Sequence, residues 1–403
     1  MIVLVINNGS SSSRFSIIET DNNLILAQGG AENIGSLTSY YKYENYKGVK
    51  EKIDMRISNY SDALTIMNSY IFSKSLGILN SLKDIDIIGH RIVHGGEKYT
   101  KATIIDDEVL KDIDELSIMA PLHNTKAIES IMNCKEKFPN IDNVAVFDTA
   151  FHSTIPKENY MYAIPRELYE NYGIRKYGFH GTSYSYVLNR YSEISSKEKS
   201  SINTIICHLG GGCSMCAIKN GKSFDTTMEY TPLSGLIMAN RSGTIDTAVI
   251  PRIMKIYNVS ADKAIELLNN SSGYLAIAND KDAKSIVERS INGDKDAIFL
   301  RKMIDHDFKK HLYSVMANLN SLDSIIVTGG MGAKNKEQRE LFFSDLDLFG
   351  IELDNGRNNN TFNVEAVISS ESSRIPIYVI PTNEELEIAN QCKKILYKRK
   401  KNG

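Results

Sequence analysis

Residues 204–218 read TIICHLGGGCSMCAI. An apolar run meets a Gly-Gly-Gly turn, and a second run follows with apolar residues at alternate positions. Period two marks a half-buried strand, and glycines supply a turn that residues bearing side chains would crowd. The stretch is therefore expected to form a β-hairpin. Residues 3–18, VLVINNGSSSSRFSII, have the same form: apolar strand, small polar turn, second strand. Two such hairpins, beginning at residues 3 and 204, suggest duplicated halves facing one cleft. Turns made of Gly, Ser and Asn let backbone N–H groups approach an anion closely, and phosphate is the usual anion. Either hairpin alone reads as an ordinary sheet hairpin; the pairing favours phosphate.

Composition sets the bounds. The 403 residues are 42% hydrophobic and 24% charged, which is ordinary for a folded protein of two or three domains. A net charge of −2 provides no electrostatic argument for nucleic acid or an anionic membrane. The one basic run, at residues 398–401, reads as a solvated tail. No uninterrupted apolar run approaches the ~20 residues that span a bilayer, and the first residues lack a signal-peptide pattern. Five cysteines without framework spacing point to a reducing cytoplasm. Cys213-x-x-Cys216 has a zinc-like spacing, but residues three apart on a strand face opposite sides.

Strands and helices alternate along the chain, an α/β pattern. In the first half a short strand is expected at 24–27, a helix at 61–82, a strand at 85–96, helices at 107–119 and 124–138, and a buried strand at 144–147. Residues 151–178 read as a Tyr-rich crossing into a second domain. A helix then follows GFHGTSYSY, with Thr182 or Ser183 as N-cap. Helices are expected at 247–257, 261–269 and 294–319, a strand running into glycines at 324–332, and a polar loop at 354–362. A last strand at 377–380 and a last helix at 383–398 complete the pattern, the helix opening with the capping box Thr382-x-x-Glu385. Neither G-x-x-x-x-G-K-[ST] nor a strand-borne G-x-G-x-x-G is present.

In GHRIVHGGE, residues 89–97, period two puts Arg91 and Val93 on one face and His90, Ile92 and His94 on the other. A cation beside a small apolar residue suits a carboxylate or phosphate carrying a short hydrocarbon. A structural ion pair is the plainer role for any single Arg. Leu122–His123 and Phe179–His180 both place a His after an apolar residue, and Pro232 and Arg241 lie on the loop after the central hairpin. Asp148 ends a buried strand and Glu384 opens the last helix. Both are candidates to hold a hard divalent cation, and both fit equally well as turn or helix-terminus acids.

Together these segments resemble the acetokinase family, within the actin, hexokinase and sugar-kinase superfamily. VLVINNGSSSSRF, GHRIVHGGEKYT, APLHN, VFDTAFH, KYGFHGTS, CHLGGG, TPLSGL, RSGTID and PTNEEL follow in the family's order over nearly the whole chain. The resemblance implies two similar lobes of the actin-like, ribonuclease H-like fold with a central cleft. It divides the chain into 1–150, completed by 384–403, and 151–383, the latter with the nucleotide site and dimer interface. It implies reversible in-line phosphoryl transfer from ATP to acetate, giving acetyl phosphate and ADP, with Mg²⁺ or Mn²⁺, in a cytoplasmic homodimer without nucleic-acid or membrane partners. Carried over by position, Asn7 and Glu384 hold the metal, and Asp148, Arg91, Arg241, His180 and His123 are catalytic. Arg91, Val93, Leu122, Phe179 and Pro232 bind acetate. Ser10, Ser12, Arg14, His208, Gly210, Gly211 and Gly212 take the phosphates. Asp282, Ala283, Lys284, Gly329, Gly330, Met331 and Gly332 hold the nucleotide.

Departures from the family pattern cluster. Asn8, Arg14, Gly211, Cys213, Ala239-Asn240, Lys284 and Ala333-Lys334 lie mostly on the phosphate turns or the nucleotide side, and Tyr184 replaces a His. The acyl-transfer residues match. The donor therefore stays open between ATP and pyrophosphate, with the Gly329-Gly330 segment favouring a nucleotide. The acceptor stays open between acetate and propionate or butyrate. An actin-like ATPase that serves as an interaction protein is the alternative from another class.

Overall fold

The structure is a computed structural model that describes all residues except 10, 121, 122 and 403. It divides into two compact units, one formed by Met1–Phe151 with Asn383–Gly403, the other by His152–Thr382.

The first unit carries strands β1 (Ile2–Asn8), β2 (Ser13–Glu19), β3 (Leu24–Glu32), β4 (Tyr40–Asn45), β5 (Lys50–Asp54), β6 (Ile87–Ile92), β7 (Thr103–Ile104) and β8 (Asn143–Phe147). Their order is β5-β4-β3-β2-β1-β6-β8-β7. The second unit carries β9 (Thr204–Leu209), β10 (Cys213–Lys219), β11 (Lys222–Thr226), β12 (Ser324–Thr328), β13 (Ala366–Val367) and β14 (Ile377–Val379), ordered β11-β10-β9-β12-β14-β13. The fold is α/β with two mixed sheets, as expected. The segments β3-β2-β1-β6-β8 and β11-β10-β9-β12-β14 have the same design. In each, two antiparallel pairings lead into two parallel ones. Each also carries a register shift at the equivalent pair of outer strands, at Ile17/Ile18 and at Ala217/Ile218. The likeness of the two hairpins in sequence extends to the topology around them.

The central strands β8 and β12 are buried along their whole length, consistent with strands covered on both faces. The C-terminal helix Glu384–Asn402 packs on β1 and β6. A Cβ at Gly89 would lie 2.7 Å from Ile388 Cγ2 and 2.8 Å from Cys392 Sγ, so glycine in β6 is what lets this helix approach.

Several local expectations are corrected. The helix expected at 61–82 runs only over Tyr60–Ile71, capped by Asn59, whose side chain accepts from the Asp62 N–H. The chain then turns on itself, with Gly77 N donating to Ser73 O at 2.8 Å. Strands β4 and β5 occupy residues without a sequence expectation; their charged, Tyr-rich residues lack a clean alternation. Short helices Lys157–Tyr160 and Arg166–Tyr172 lie in the Tyr-rich crossing, and Asn355–Asn359 in the supposed polar loop. The helix at 181–195 is preceded by His180 as N-cap, so Thr182 and Ser183 lie inside it. The cap of the last helix comes from Asn383, whose Oδ1 accepts from Leu386 N at 2.9 Å, not from Thr382. Ser260 caps its helix as expected, accepting from the Lys263 N–H. Cys213 and Cys216 diverge: the first reaches Gly210 O at 3.3 Å, the second Ser223 Oγ at 3.4 Å.

His90 in β6 is 2% exposed, and its Nε2 donates to Asn143 Oδ1 of β8 at 2.7 Å. Burial pushes its pKa from 6.5 down to about 4, against the opposing hydrogen bond to Asn143, and burial pushes His94 down to about 4 as well. Both rings are thus neutral in the fold but take up protons near pH 6.5 once unfolded. Their contribution to stability is complete above that pH and is lost as pH falls toward about 4. For His90 alone the loss amounts to about 3 kcal/mol. Urea unfolding followed by circular dichroism between pH 7.5 and 4.5 should show this decline, and His90→Gln should flatten it.

Candidate functional site

In the first unit, strand register places a row of side chains. Asn7 stands opposite Arg14 across β1 and β2, and Ile6 pairs with His90, which puts Asn7 beside Arg91. Asn7, Arg14 and Arg91 therefore share one face of the sheet. Arg91 sits near the carboxyl end of β6, and Asp148 follows the carboxyl end of β8, where α/β sheets bind ligands. Asp148 Oδ2 accepts from Arg91 Nε at 3.0 Å and Nη2 at 2.6 Å, while Arg91 Nη1 donates to Asn7 Oδ1 at 3.4 Å. Asn7 Nδ2 in turn donates to Glu385 Oε1 at 3.4 Å.

Three carboxylates thus gather around one guanidinium. Burial works against the charge on Arg91, but Asp148 and Glu384 outweigh it and hold its pKa above the ordinary value. For Glu384, burial pushes the carboxyl pKa up; Arg91 opposes this, and Asp148 and Glu385 add to it. That surplus of negative charge is what a divalent cation would neutralise. Mg²⁺ uses one or two carboxylates together with waters and phosphate oxygens, and Asn7, Asp148 and Glu384 are a fitting oxygen set.

The other expected residues of this unit are less concentrated. Val93 is buried, and His123 is half-buried at the start of the helix Asn124–Lys137. Gly9 N donates to Ser12 O at 2.9 Å, closing the first hairpin turn, and Tyr60 OH donates to Gly9 O at 2.7 Å. Arg14 is 61% exposed and paired with Glu32 at 2.8 Å. Ser10 and Leu122 lie outside the described residues.

In the second unit the organising feature is the turn Gly210–Gly212 between β9 and β10, closed by Gly210 N donating to Gly212 O at 3.1 Å. A Cβ at Gly212 would lie 3.4 Å from His180 Nε2 and 3.6 Å from Arg241 Nη1, and a Cβ at Gly210 3.6 Å from His208 Nε2. Three nitrogen-bearing side chains therefore face one glycine turn. His180 holds φ +60°, a left-handed backbone uncommon outside glycine and worth about 1–3 kcal/mol of strain. Its ring stacks on that of His208 with centroids 4.1 Å apart and planes 23° apart. Phe179 is buried just before it, with its carbonyl bonded to His152 Nε2 at 2.9 Å.

Arg241 is held by its own loop. Its Nη1 donates to Pro232 O at 3.2 Å, and its carbonyl accepts from Met238 N at 3.1 Å. Gly273, at φ +61°, lets the next helix press on this loop: a Cβ there would fall 2.0 Å from Met238 O. Ala239 N reaches Gly211 O at 3.4 Å, tying the loop to the glycine turn. Among the described residues Arg241 makes no ion pair. Burial pushes its pKa down. A half-buried cation without a counter-ion is suited to receive an anionic ligand.

Beside the glycine turn lies a cavity of about 790 Å³. Gly210, Gly211, Asp282, Ala283, Lys284, Gly330 and Met331 line it, as do Tyr274, Val287, Ile291, Lys281, Lys334 and Phe362. Gly329 and Gly332 stand next to it in sequence, in the helix Gly329–Lys334. Asp282 caps the helix Ala283–Ile291, accepting from Lys284 N at 2.9 Å, and Lys284 points outward to Glu288 at 3.7 Å.

Sequence reasoning missed Glu385, the acid on Asn7, although it adjoins Glu384 in PTNEEL. It also missed three buried hydroxyl residues around the stacked imidazoles: Ser183, Tyr184 and Ser214. The sequence marks Ser183 as a possible helix cap and Tyr184 as a departure from the family pattern, and Ser214 has only its place in the central hairpin as a signal.

A family model described as the Acetokinase family matches residues 2–390. An acetate kinase of Halothermothrix orenii is 40% identical over 397 residues, covering 98% of this chain and 100% of that protein. One of Thermoanaerobacterium thermosaccharolyticum is 42% identical over 398 residues, covering 98% and 99%. Among solved structures, a Porphyromonas gingivalis acetate kinase is similar with a TM-score of 0.91 and 35% identity over 98% of this chain and 99% of that one. A Francisella tularensis propionate kinase is similar with a TM-score of 0.91 and 37% identity, covering 97% and 98%.

A methyl group at residue 212 would sit at ordinary contact distance from His180 and Arg241 and fill the space between them. Gly212→Ala should therefore fold normally, with a melting temperature within about 2 °C of the parent. It should weaken binding of sulfate or phosphate roughly tenfold, as titration calorimetry would show.

Proposed function

This chain belongs to the acetokinase family, and on that premise we propose that it transfers a phosphoryl group reversibly between ATP and acetate, through acetyl phosphate and ADP. The observation that carries this reading is the pairing of Arg241, without an ionic partner among the described residues, and His180 Nε2 over the side-chain-free position 212. A carboxylate is already an anionic nucleophile, so no general base is needed. The transferring phosphoryl passes through a loose state with charge on its equatorial oxygens, and the protein's task is to position and neutralise. In this reading Arg241 and His180 donate to those oxygens. Arg91, oriented by Asp148 and Asn7, holds the acetate carboxylate with planar paired donors that Lys does not offer. In this reading Val93, Phe179 and Pro232 are the residues assigned to the methyl group, and His123 is assigned as a weaker donor. Bound to Asn7 and Glu384, with Asp148 beside them, Mg²⁺ or Mn²⁺ would supply charge neutralisation to the phosphate oxygens.

A nucleotide donor is favoured over pyrophosphate by the cavity beside the glycine turn. Its walls of Tyr274, Val287, Ile291 and Met331 suit a nucleoside, for which pyrophosphate has no counterpart. A methyl-sized pocket makes propionate a poorer substrate, not an excluded one, because one methylene is worth only ~1–3 kcal/mol. The helix Val249–Tyr257 buries none of its residues, and Val249, Ile256 and Tyr257 are 41%, 58% and 62% exposed. This exposed apolar face supports the homodimer reading, in which a second copy of the chain would cover it. Among the described residues no helix is long and apolar enough to cross a membrane. All five cysteines are free, in keeping with work in the cytoplasm.

Hydroxamate trapping of acyl phosphate tests the reading, crossing ATP, GTP and pyrophosphate with acetate, propionate and butyrate. Product with ATP and acetate at the highest rate is expected. Product with pyrophosphate alone would remove the nucleotide, and no product under any pairing would favour an actin-like interaction protein. Arg91→Ala and Arg241→Ala should each lose at least ~3 kcal/mol of transition-state stabilisation, more than a hundredfold in turnover. Size-exclusion chromatography with light scattering should give twice the chain mass.

A further inference from the structure

The stacked imidazoles in the second unit are each held from behind by a buried hydroxyl. His180 Nδ1 lies 2.7 Å from Ser214 Oγ, and His208 Nδ1 lies 2.8 Å from Ser183 Oγ. Ser214, on β10, pairs directly with His208 on β9, so both side chains rise from the same face of the hairpin. Tyr184 stands one helical turn beyond His180, its N–H bonded to His180 O at 3.0 Å, and its phenol oxygen closes on Ser214 Oγ. Ser183, Tyr184 and Ser214 are all 0% exposed. Both Nε2 atoms lie close to the glycine turn.

We propose that Tyr184, acting through Ser214, is a positioning residue that sets the ring orientation and tautomer of His180. A serine hydroxyl has one proton and two lone pairs. In the proposed arrangement the Tyr184 O–H donates to Ser214 Oγ, and the Ser214 O–H donates to His180 Nδ1. The remaining imidazole proton then sits on Nε2, aimed at the space above Gly212, where an oxyanion needs a donor. On the neighbouring ring, a Ser183 O–H donating to His208 Nδ1 would likewise leave the imidazole proton on Nε2. Two face-to-face rings separated by 4.1 Å would repel if both were charged, so neutral donors with fixed tautomers are the form that such a stack tolerates. The Ser214–Tyr184 chain also holds the His180 ring from behind. The inference rests on the reading of His180 as a donor to the transferring phosphoryl.

Steady-state kinetics and ¹⁵N NMR of histidine-labelled full-length protein test it in parallel, with His180→Asn assigning the His180 signals. Wild type should show His180 as the Nε2–H tautomer. Ser214→Ala should lower kcat roughly tenfold, with KM for acetate and ATP within about twofold, and Tyr184→Phe should do so to a smaller degree. Both should shift the His180 nitrogen resonances toward a tautomer mixture, and Ser214→Thr should restore kcat and spectrum together. An Nδ1–H tautomer in wild type overturns the proposal. So does a loss of melting temperature in Tyr184→Phe without change in kcat or in the His180 spectrum. If Ser214→Ala does not fold, Tyr184→Phe decides alone. If wild type forms no acyl phosphate with any donor, the functional reading fails, while the NMR comparison still decides the positioning of the ring.

Discussion

A guanidinium and an imidazole meet in the second unit over a residue without a side chain, and the architecture of that unit follows from making this possible. Gly212 leaves the space. His180 reaches it only from a left-handed backbone, which the packed segment on either side holds in place. Arg241 reaches it from a loop closed by Gly235 and Thr244, with Thr244 N donating to Gly235 O at 2.9 Å, and braced by Gly273 from the following helix. Each of these is a backbone arrangement whose local cost is met by contacts elsewhere in the unit. A side chain at 212 would fill the space both donors face, and one at 273 would press on the backbone of the Arg241 loop.

The two units differ in electrostatic sense. In the first, Asp148, Glu384 and Glu385 outnumber Arg91; burial raises the pKa of Glu384, Arg91 opposes this, and the neighbouring acids add to it. In the second, Arg241 is a half-buried cation without an acidic partner among the described residues, beside two imidazoles. One unit is therefore prepared for a cation and the other for an anion. Phosphoryl transfer to a carboxylate uses both, because its reactants are anions and its metal is a hard cation.

The duplication was legible because hairpin turns have a strong local signature. Small residues between two apolar runs leave little choice of structure, and the paired strands of both hairpins formed where expected. Elements whose residues do not alternate cleanly were not legible. Strands β4 and β5 carry Lys, Glu and Tyr on an outer part of the sheet, and only pairing of β4 with β3 and of β5 with β4 makes them strands. The helix that ended at Ile71 had an apolar pattern running on to residue 79, because Leu76 and Leu79 pack on the same core from a turn. Helix caps were displaced for a similar reason: Thr182 and Ser183 have the chemistry of a cap, but Ser183 is engaged by His208 and the helix begins before both.

Site residues divide along the same line. The amino-acid sequence by itself determined the α/β class, the two glycine turns and the residue types able to bind an anion or a hard cation, since these depend on local periodicity and on side-chain chemistry. Only the tertiary structure decided that Arg91 is clasped by Asp148, that Arg14 turns to Glu32 in the open, and that Asn7 answers to Glu385 across nearly the whole chain. It alone placed Tyr184 and Ser214 behind His180. These pairings are made by strand register and helix packing between distant segments, and a linear pattern carries no record of which residue will stand next to which.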